Sequence, residues 1–102
     1  MFEAILAEME SLFRKGVFAE KTSFYFSVDD IPITVVIDAL SFTVELGKTV
    51  EQADCSCKTD GQMFSQIWND GYRPGIMDFL GGAIKCDAPL MLPQFLKAFG
   101  KE

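Results

Sequence analysis

Three short segments in the middle of the chain alternate between apolar and polar residues or are rich in β-branched ones. The first alternates over residues 24–28, the second is β-branched over 34–38, and the third alternates over 42–46. Such segments predict β-strands that pack one face against a core. The link at 29–32 contains a proline that ends the first strand, and the link at 38–40 is shorter still. Because a parallel crossover needs about a dozen residues, these links predict an antiparallel meander.

An amphipathic helix is predicted before the meander. Its apolar residues recur at the three- and four-residue spacing of one helix face, and glutamates occupy the other face. Arginine and lysine follow, where cations favour a helix C-terminus, and Gly16 is a candidate for the residue just past the helix end. The apolar face consists of Phe2, Ile5, Leu6, Met9, Leu12 and Phe13.

After the meander, the sequence predicts a fourth strand over residues 53–58 and then a return to helical periodicity. Thr59 stands three residues before Gln62, which is the spacing of a capping box, so Thr59 is the expected N-cap of a helix. This helix should end at the turn residues 69–71. A second, short helix is expected to have Pro74 in its first turn, where proline is tolerated.

The end of the chain combines a last strand with an apolar segment. The short helix should end at Gly81-Gly82, and the strand follows over residues 83–87. The segment 89–99 is apolar around most of its circumference. Since Pro93 has no N–H to donate to the preceding turn, a regular helix should begin only near Leu92 or Pro93.

The order of these elements defines the fold class. Strands and helices that are segregated along a chain are typical of α+β proteins. We predict a five-stranded, largely antiparallel sheet with helices packed on one face. The other face should be open and polar, and it is expected to carry Thr43, Glu45, Ser56, Lys58, Lys85 and Asp87.

Composition and charge exclude several classes of protein. The 102-residue chain is 49% hydrophobic, which argues against disorder, and carries a net charge of -6. We expect a single domain over residues 1–102. The acidic charge argues against nucleic acid as a partner and leaves only transient, apolar membrane contact. No window of about 18 residues is free of charges or turn residues, so a membrane-spanning helix is not expected. No basic region follows Met1, so a secretory signal is not expected and the predicted location is cytoplasmic.

Three cysteines and the absence of histidine limit the available chemistry. Without histidine, Ser-His-Asp and Cys-His catalysis are excluded. Cys55, Cys57 and Cys86 are one ligand short of a tetrahedral zinc site, which Asp54 or Asp87 would have to complete. The simpler interpretation is three small buried hydrophobes on strands. An enzymatic or redox role for Cys55 and Cys57 is a third hypothesis, although buried thiols react poorly.

Large, soft apolar side chains are concentrated between Met63 and Phe99. This stretch includes five phenylalanines and tryptophans together with three methionines. Such residues build either a dense core or an adaptable cavity wall. Composition alone does not distinguish these two structures from an exposed apolar patch.

Two motifs resemble the sterol carrier protein type 2 (nonspecific lipid-transfer) family. The run ADCSCK at 53–58 is similar to the A-D-C/V-x-I/V-x strand of that family, which a capped helix also follows. The run GAIKCDAPLML at 82–92 is similar to its G-x-L/I-K-I/V-x-G-D/N-x-x-x-L segment. Ala88 and Pro89 depart from the family at the turn into the last helix. The resemblance covers roughly Phe24 to the C-terminus and is clearest from Ala53 onward.

The resemblance implies a sheet and helices that enclose an apolar tunnel for fatty acids, acyl-CoA, sterols or phospholipids. Lys85, Arg73 and Lys97 are the candidate cations for a lipid head group. By position, the lipid-binding wall should consist of Phe64, Ile67, Trp68, Ile76, Met77, Phe79, Leu80, Ile84, Cys86, Leu90, Leu92, Phe95, Leu96 and Phe99.

The leading hypothesis is therefore a non-enzymatic domain that binds or transfers lipid. No catalytic residue, metal or cofactor is expected, and the chain could be a monomer or a dimer. The alternative is an accessory or oligomerisation module of lipid or quinone metabolism. Such a module would dock on a partner through its apolar C-terminal segment.

Overall fold

The computed structural model describes the backbone of residues 2–101 and the side chains of residues 4–101. The side chain of Phe2, expected on the apolar face of the first helix, therefore lies outside the described residues. The elements, in chain order, are α1 (Phe2–Leu12), β1 (Thr22–Val28), β2 (Ile31–Ile37), β3 (Phe42–Leu46), β4 (Cys55–Thr59), α2 (Gly61–Asn69), α3 (Ile76–Leu80), β5 (Ile84–Cys86), a 3₁₀ turn (Pro89–Met91) and α4 (Leu92–Ala98).

The five strands form one mixed sheet in the order β3-β2-β1-β4-β5. The predicted meander is confirmed, since β1 pairs with β2 and β2 with β3 in antiparallel fashion. β5 pairs antiparallel with β4, whereas β4 lies parallel to β1. The sheet is thus largely antiparallel, as predicted. Residues of α1, α2 and α4 join the buried face of the sheet in one core.

The turn between β1 and β2 is tighter than the sequence suggested. Asp29 and Asp30 have φ angles of 51° and 64°, as in the two-residue type I′ turn of a hairpin. The prediction that the turn spans residues 29–32, with Pro32 ending the first strand, is wrong, because Pro32 lies inside β2 opposite Ser27. Its carbonyl accepts a hydrogen bond from Gly47 at 2.8 Å. The N–H that proline lacks would point to that same side, past the end of β3, so its loss is tolerated.

The N-cap of α2 is Asp60 and not Thr59, which corrects the prediction. The Asp60 carboxylate accepts a hydrogen bond from the Met63 N–H at 2.7 Å. Thr59 is still part of β4, where it pairs with Ile84, and its hydroxyl donates to the Ala83 carbonyl at 2.8 Å. The strand therefore runs one residue further than the capping pattern suggested.

Three other helix boundaries can be compared with the sequence. Pro74 precedes α3, whose N-cap is Gly75, so proline is not in the first turn. α1 ends at Leu12, several residues before Gly16, so Gly16 is not its capping residue. The late start of the terminal helix is confirmed, since α4 begins at Leu92 after a 3₁₀ turn.

We expect Asp60→Ala to lower the free energy of unfolding by about 1 kcal/mol, because the Met63 N–H would lose its acceptor at the start of α2. Urea unfolding followed by circular dichroism measures the change. Glu51→Ala removes an exposed carboxylate from the β3–β4 connection and is the matched control. Equal midpoints for the two variants would contradict the capping role of Asp60.

The connection from β3 to β4 crosses the outer face of the sheet. The Thr34 hydroxyl donates to the Gly47 carbonyl at 2.7 Å and accepts from the Thr49 N–H at 3.1 Å. Thr34 is buried as a result. The six positions that were predicted to form the polar outer face are exposed or half-buried, as expected.

Candidate functional site

The space between the sheet and the helices is almost completely filled. An interior void of about 10 Å³ remains there. This volume is about that of one water-sized sphere, so a lipid-sized cavity is not open in this structure. The void is lined by uncharged residues: Phe26, Cys57, Thr59, Phe64, Ile67, Trp68, Ile84, Leu92, Phe95 and Leu96.

Aromatic rings fill the space in which a tunnel was expected. The Phe95 ring centroid lies 4.9 Å from that of Phe26 and 5.2 Å from that of Phe99. Trp68 packs 5.8 Å from Phe99, and its indole N–H donates to the Glu8 carboxylate at 3.0 Å. This hydrogen bond joins α2 to α1.

The predicted wall residues fall into three groups. Phe99 is fully buried among aromatic rings beside the void, and Phe79 and Cys86 are half-buried and pack against the core. The exposed group consists of Ile76, Met77, Leu80 and Leu90. The void itself is lined by the largest group, which is Phe64, Ile67, Trp68, Ile84, Leu92, Phe95 and Leu96.

Three side chains of α3 lie on the surface. Ile76, Met77 and Leu80 are 76%, 79% and 77% exposed, and we call these three residues the α3 face. Leu90, in the 3₁₀ turn, is 87% exposed. The family resemblance implied that these residues line a wall, but the core has no room for them, and Phe79 is the α3 side chain that packs against it. Isolated exposed apolar residues are ordinary, and three on one short helix make the α3 face a candidate binding surface.

Polar contacts hold the N-terminal end of α3. Tyr72 donates a hydrogen bond to the Asp78 carboxylate, which also accepts from the Gly75 N–H at 2.9 Å. The hydrogen bond from Tyr72, together with that from Gly75, lowers the pKa of the Asp78 carboxyl group below its ordinary value. α3 lies beside β5, and the Ala83 N–H donates to the Asp78 carbonyl at 2.9 Å.

The candidate head-group cations differ in their surroundings. The Arg73 guanidinium donates to the carbonyls of Tyr72, at 3.1 Å, and Lys101, which fixes the chain end next to α2. Lys85 lies on the outer face of β5, opposite Lys58 of β4. Lys97 is exposed in the last turn of α4. The fold thus does not gather the three cations around the void.

The structure brings the three cysteines together on the core face of β4 and β5. The Cys55 sulfur lies 3.7 Å from the Cys57 sulfur and 3.5 Å from the Cys86 sulfur. All three sulfurs lie within 4.8 Å of one another. Cys55 and Cys57 are buried, whereas Cys86 is half-buried. The sequence offered these three cysteines as candidate metal ligands, but their contact depends on the register that places Cys86 opposite Cys57.

The thiols differ in acidity because of their mutual hydrogen bonds. Hydrogen bonds from Cys55 and Cys57 lower the pKa of Cys86. Donation to Cys55 and Cys86, together with burial, raises the pKa of Cys57. At Cys55 the hydrogen bond from Cys57 lowers the pKa, but the bond to Cys86 and burial outweigh it, so that the pKa is raised. Cys86 is therefore the preferred thiolate of the cluster, and the prediction that the two inward thiols react poorly agrees with their burial.

Comparison with known proteins relates the fold to a bacterial enzyme. The sec-alkylsulfatase Pisa1 from Pseudomonas sp. matches with a TM-score of 0.75 and 15% identity, over 89% of this chain and 15% of the sulfatase. A double mutant of that sulfatase matches with a TM-score of 0.80 and 14% identity, over 97% of this chain and 16% of the other. The chain thus spans about one sixth of the sulfatase. This chain therefore shares its α+β fold with that part of the sulfatase.

The other comparisons are weaker. A conserved hypothetical protein from Thermus thermophilus, described as a candidate sterol carrier protein, has 14% identity over 94% of this chain and 71% of its own. Its TM-score of 0.46 is too low to add to the comparison. No protein-family model and no curated protein sequence matches the chain. Among the described residues, no helix is both long enough and apolar enough to cross a membrane.

Proposed function

We propose that this domain binds lipid without catalysing a reaction, with a fatty chain lying against α3 and extending towards the interior void. The observation that carries the proposal is the α3 face, whose three apolar side chains are each more than three-quarters exposed. α3 lies beside β5, and Ile84 of β5 lines the void. A lipid bound at α3 would therefore lie next to apolar walls that are already formed.

The energetics of such binding come mainly from burial. Each CH₂ group of a fatty chain that leaves water contributes about 0.8 kcal/mol, and covering one exposed leucine or isoleucine contributes a further ~1.5–3 kcal/mol. These contributions need no specific polar partner. Selectivity for the lipid is therefore expected to be broad.

Ligand entry requires α3 to move, since the void of about 10 Å³ holds no fatty chain. α3 is five residues long and has glycine on both sides. Phe79 is the one side chain of α3 that packs against the core, among the described residues. Outward movement of α3 would withdraw Phe79 and make room for the end of a fatty chain.

The alternative, docking through the C-terminal segment, has less support. Leu92, Phe95, Leu96 and Phe99 are buried in the chain's own core. A second copy could instead cover the α3 face. Sedimentation of lipid-free protein separates the two functions, because a stable dimer that Leu80→Ser dissociates would favour an oligomerisation module.

Lipid identification tests the proposed function directly. We expect organic extraction of the purified protein, followed by mass spectrometry, to release a fatty acid or phospholipid in a fixed ratio to protein. Delipidated protein should then bind a dansyl-labelled fatty acid saturably. If the protein retains no lipid and does not bind the probe saturably, the proposal is refuted.

A further inference from the structure

We propose that Cys55, Cys57 and Cys86 form a binding site for one soft, thiophilic metal ion, with Cu(I) as the ion that fits best. The site lies where β4 and β5 pair, on the core face of the sheet. Cys57 also lines the interior void towards which the fatty chain would extend, but the three sulfurs alone define the metal site, and its test needs no lipid.

The sulfur positions match a three-coordinate ion. An ion bonded to three sulfurs at about 2.3 Å holds them about 3.8–4.0 Å apart. Cys55 lies 3.7 Å from Cys57 and 3.5 Å from Cys86, sulfur to sulfur. An ion would therefore fit if these two pairs separate by a few tenths of an ångström, since the third pair, Cys57 and Cys86, lies within 4.8 Å.

The backbone fixes this arrangement before any ion binds. Cys55 and Cys57 are two residues apart on β4 and so project to the same face of the sheet. Cys86 lies directly opposite Cys57 in the antiparallel pairing of β4 with β5. A rigid sheet thus supplies all three sulfurs, and little conformational entropy is lost when an ion is bound.

The set of ligands favours Cu(I) over Zn²⁺. Within the described part of the chain, three sulfurs and no fourth side-chain ligand make up the cluster. The carboxylates that the sequence suggested for a fourth ligand are used elsewhere: Asp54 accepts from the Ser23 N–H at 2.9 Å and Asp87 from the Ser56 N–H at 2.7 Å. Structural zinc sites need four ligands, whereas Cu(I) is selected by soft thiolates and is stable with three.

Access to the site is through Cys86. It lies on β5, a three-residue strand at the edge of the sheet, and is half-buried, while the other two sulfurs are buried. Binding replaces S–H bonds by Cu–S bonds and releases the displaced protons to solvent. Copper enters and remains as Cu(I), so no oxidant or reductant takes part.

Competition titration tests the site. Fully reduced protein, kept anaerobic, is titrated with Cu(I) against the chromophoric chelator bicinchoninate. We expect one equivalent of Cu(I) per chain, with an ultraviolet sulfur-to-copper charge-transfer band. Cys86→Ser should weaken binding at least tenfold and lose most of this band. Leu90→Ser, an exposed substitution in the turn that follows β5, should leave both unchanged.

A second measurement keeps the test independent of folding defects. Bound Cu(I) should protect Cys86 of the wild-type protein from iodoacetamide, as peptide mass spectrometry would report. Titration with Zn²⁺ under the same conditions should show binding at least tenfold weaker than that of Cu(I). Copper affinity that Cys86→Ser leaves unchanged, an absence of protection, or tighter binding of Zn²⁺ would each overturn the proposal.

Discussion

Replacement of Phe95 by alanine is expected to destabilise the domain by about 3–5 kcal/mol, which is the usual cost of removing a buried aromatic ring. Phe95 is buried, and its ring packs 5.0 Å from Phe24 and 4.9 Å from Phe26, centroid to centroid. It also contacts Trp68 and Phe99. The ring thus joins α4 to both the sheet and α2.

The loss is large relative to the stability of such a domain. Single domains have a free energy of unfolding of about 5–15 kcal/mol. Each kcal/mol of lost stability lowers the melting temperature of a domain of 60–100 residues by roughly 4–8 °C. Urea and thermal unfolding measure both quantities. Leu90→Ala is the control, because Leu90 is exposed and its removal should change stability by less than about 0.5 kcal/mol. Similar midpoints for the two variants would show that the rings do not hold the core together.

The strand order shows what a sequence with short links can and cannot predict. The alternation at β1 and β3, together with the short links that join β2 to both of them, was sufficient to predict an antiparallel meander. The position of β4 was not predictable in the same way, because the polar segment 47–54 is long enough to cross the sheet. Thr34 stabilises that crossing through two hydrogen bonds to the segment, and no local pattern in the sequence reports a contact of this kind.

The predicted wall residues show that sequence is similarly limited in predicting the candidate site. Periodicity correctly placed Ile67 on an inward helix face, but it could not determine how much room remained inside. Once Trp68 and the phenylalanine rings fill the core, a five-residue helix has space to bury only one large side chain, which is Phe79. Ile76 and Leu80 are therefore exposed. The available volume depends on the whole fold and not on the helix itself.

The cysteine cluster depends on register. The C-x-C spacing predicted that Cys55 and Cys57 share a face, and the structure confirms this. Cys86 joins them only because β5 pairs with β4 with Cys86 opposite Cys57. A shift of the pairing by one residue would move Cys86 to the other face of the sheet.

Replacing Ile76 and Leu80 together by serine is expected to weaken fatty-acid binding at least about tenfold while the fold is retained. Both side chains are more than three-quarters exposed, so that the lipid-free protein loses little packing. In the bound state each would be covered by the fatty chain. A loss of about 1.4 kcal/mol already corresponds to tenfold in affinity, which is less than the burial of one such side chain contributes.

The chain offers a matched control for this experiment. Leu40 and Leu46 are 71% and 74% exposed, so their apolar surface resembles that of the α3 face. They lie in the β2–β3 turn and on β3, the edge strand opposite β5. Leu40→Ser/Leu46→Ser removes comparable apolar surface far from α3. Titration of both double variants with the dansyl-labelled fatty acid compares them, and circular dichroism confirms that each is folded.

The pair of variants separates local from general binding. Weakening in the α3 variant alone would locate the fatty chain at α3. Equal weakening in both would mean that the probe adheres to any exposed apolar residue, and equal retention would mean that it binds elsewhere; either result contradicts a site at α3.

Phe79→Ala adds a further distinction, because withdrawal of Phe79 is the step that admits the ligand. If α3 moves as proposed, this variant should accelerate fatty-acid association in stopped-flow measurements, since the anchor that opposes opening has been removed.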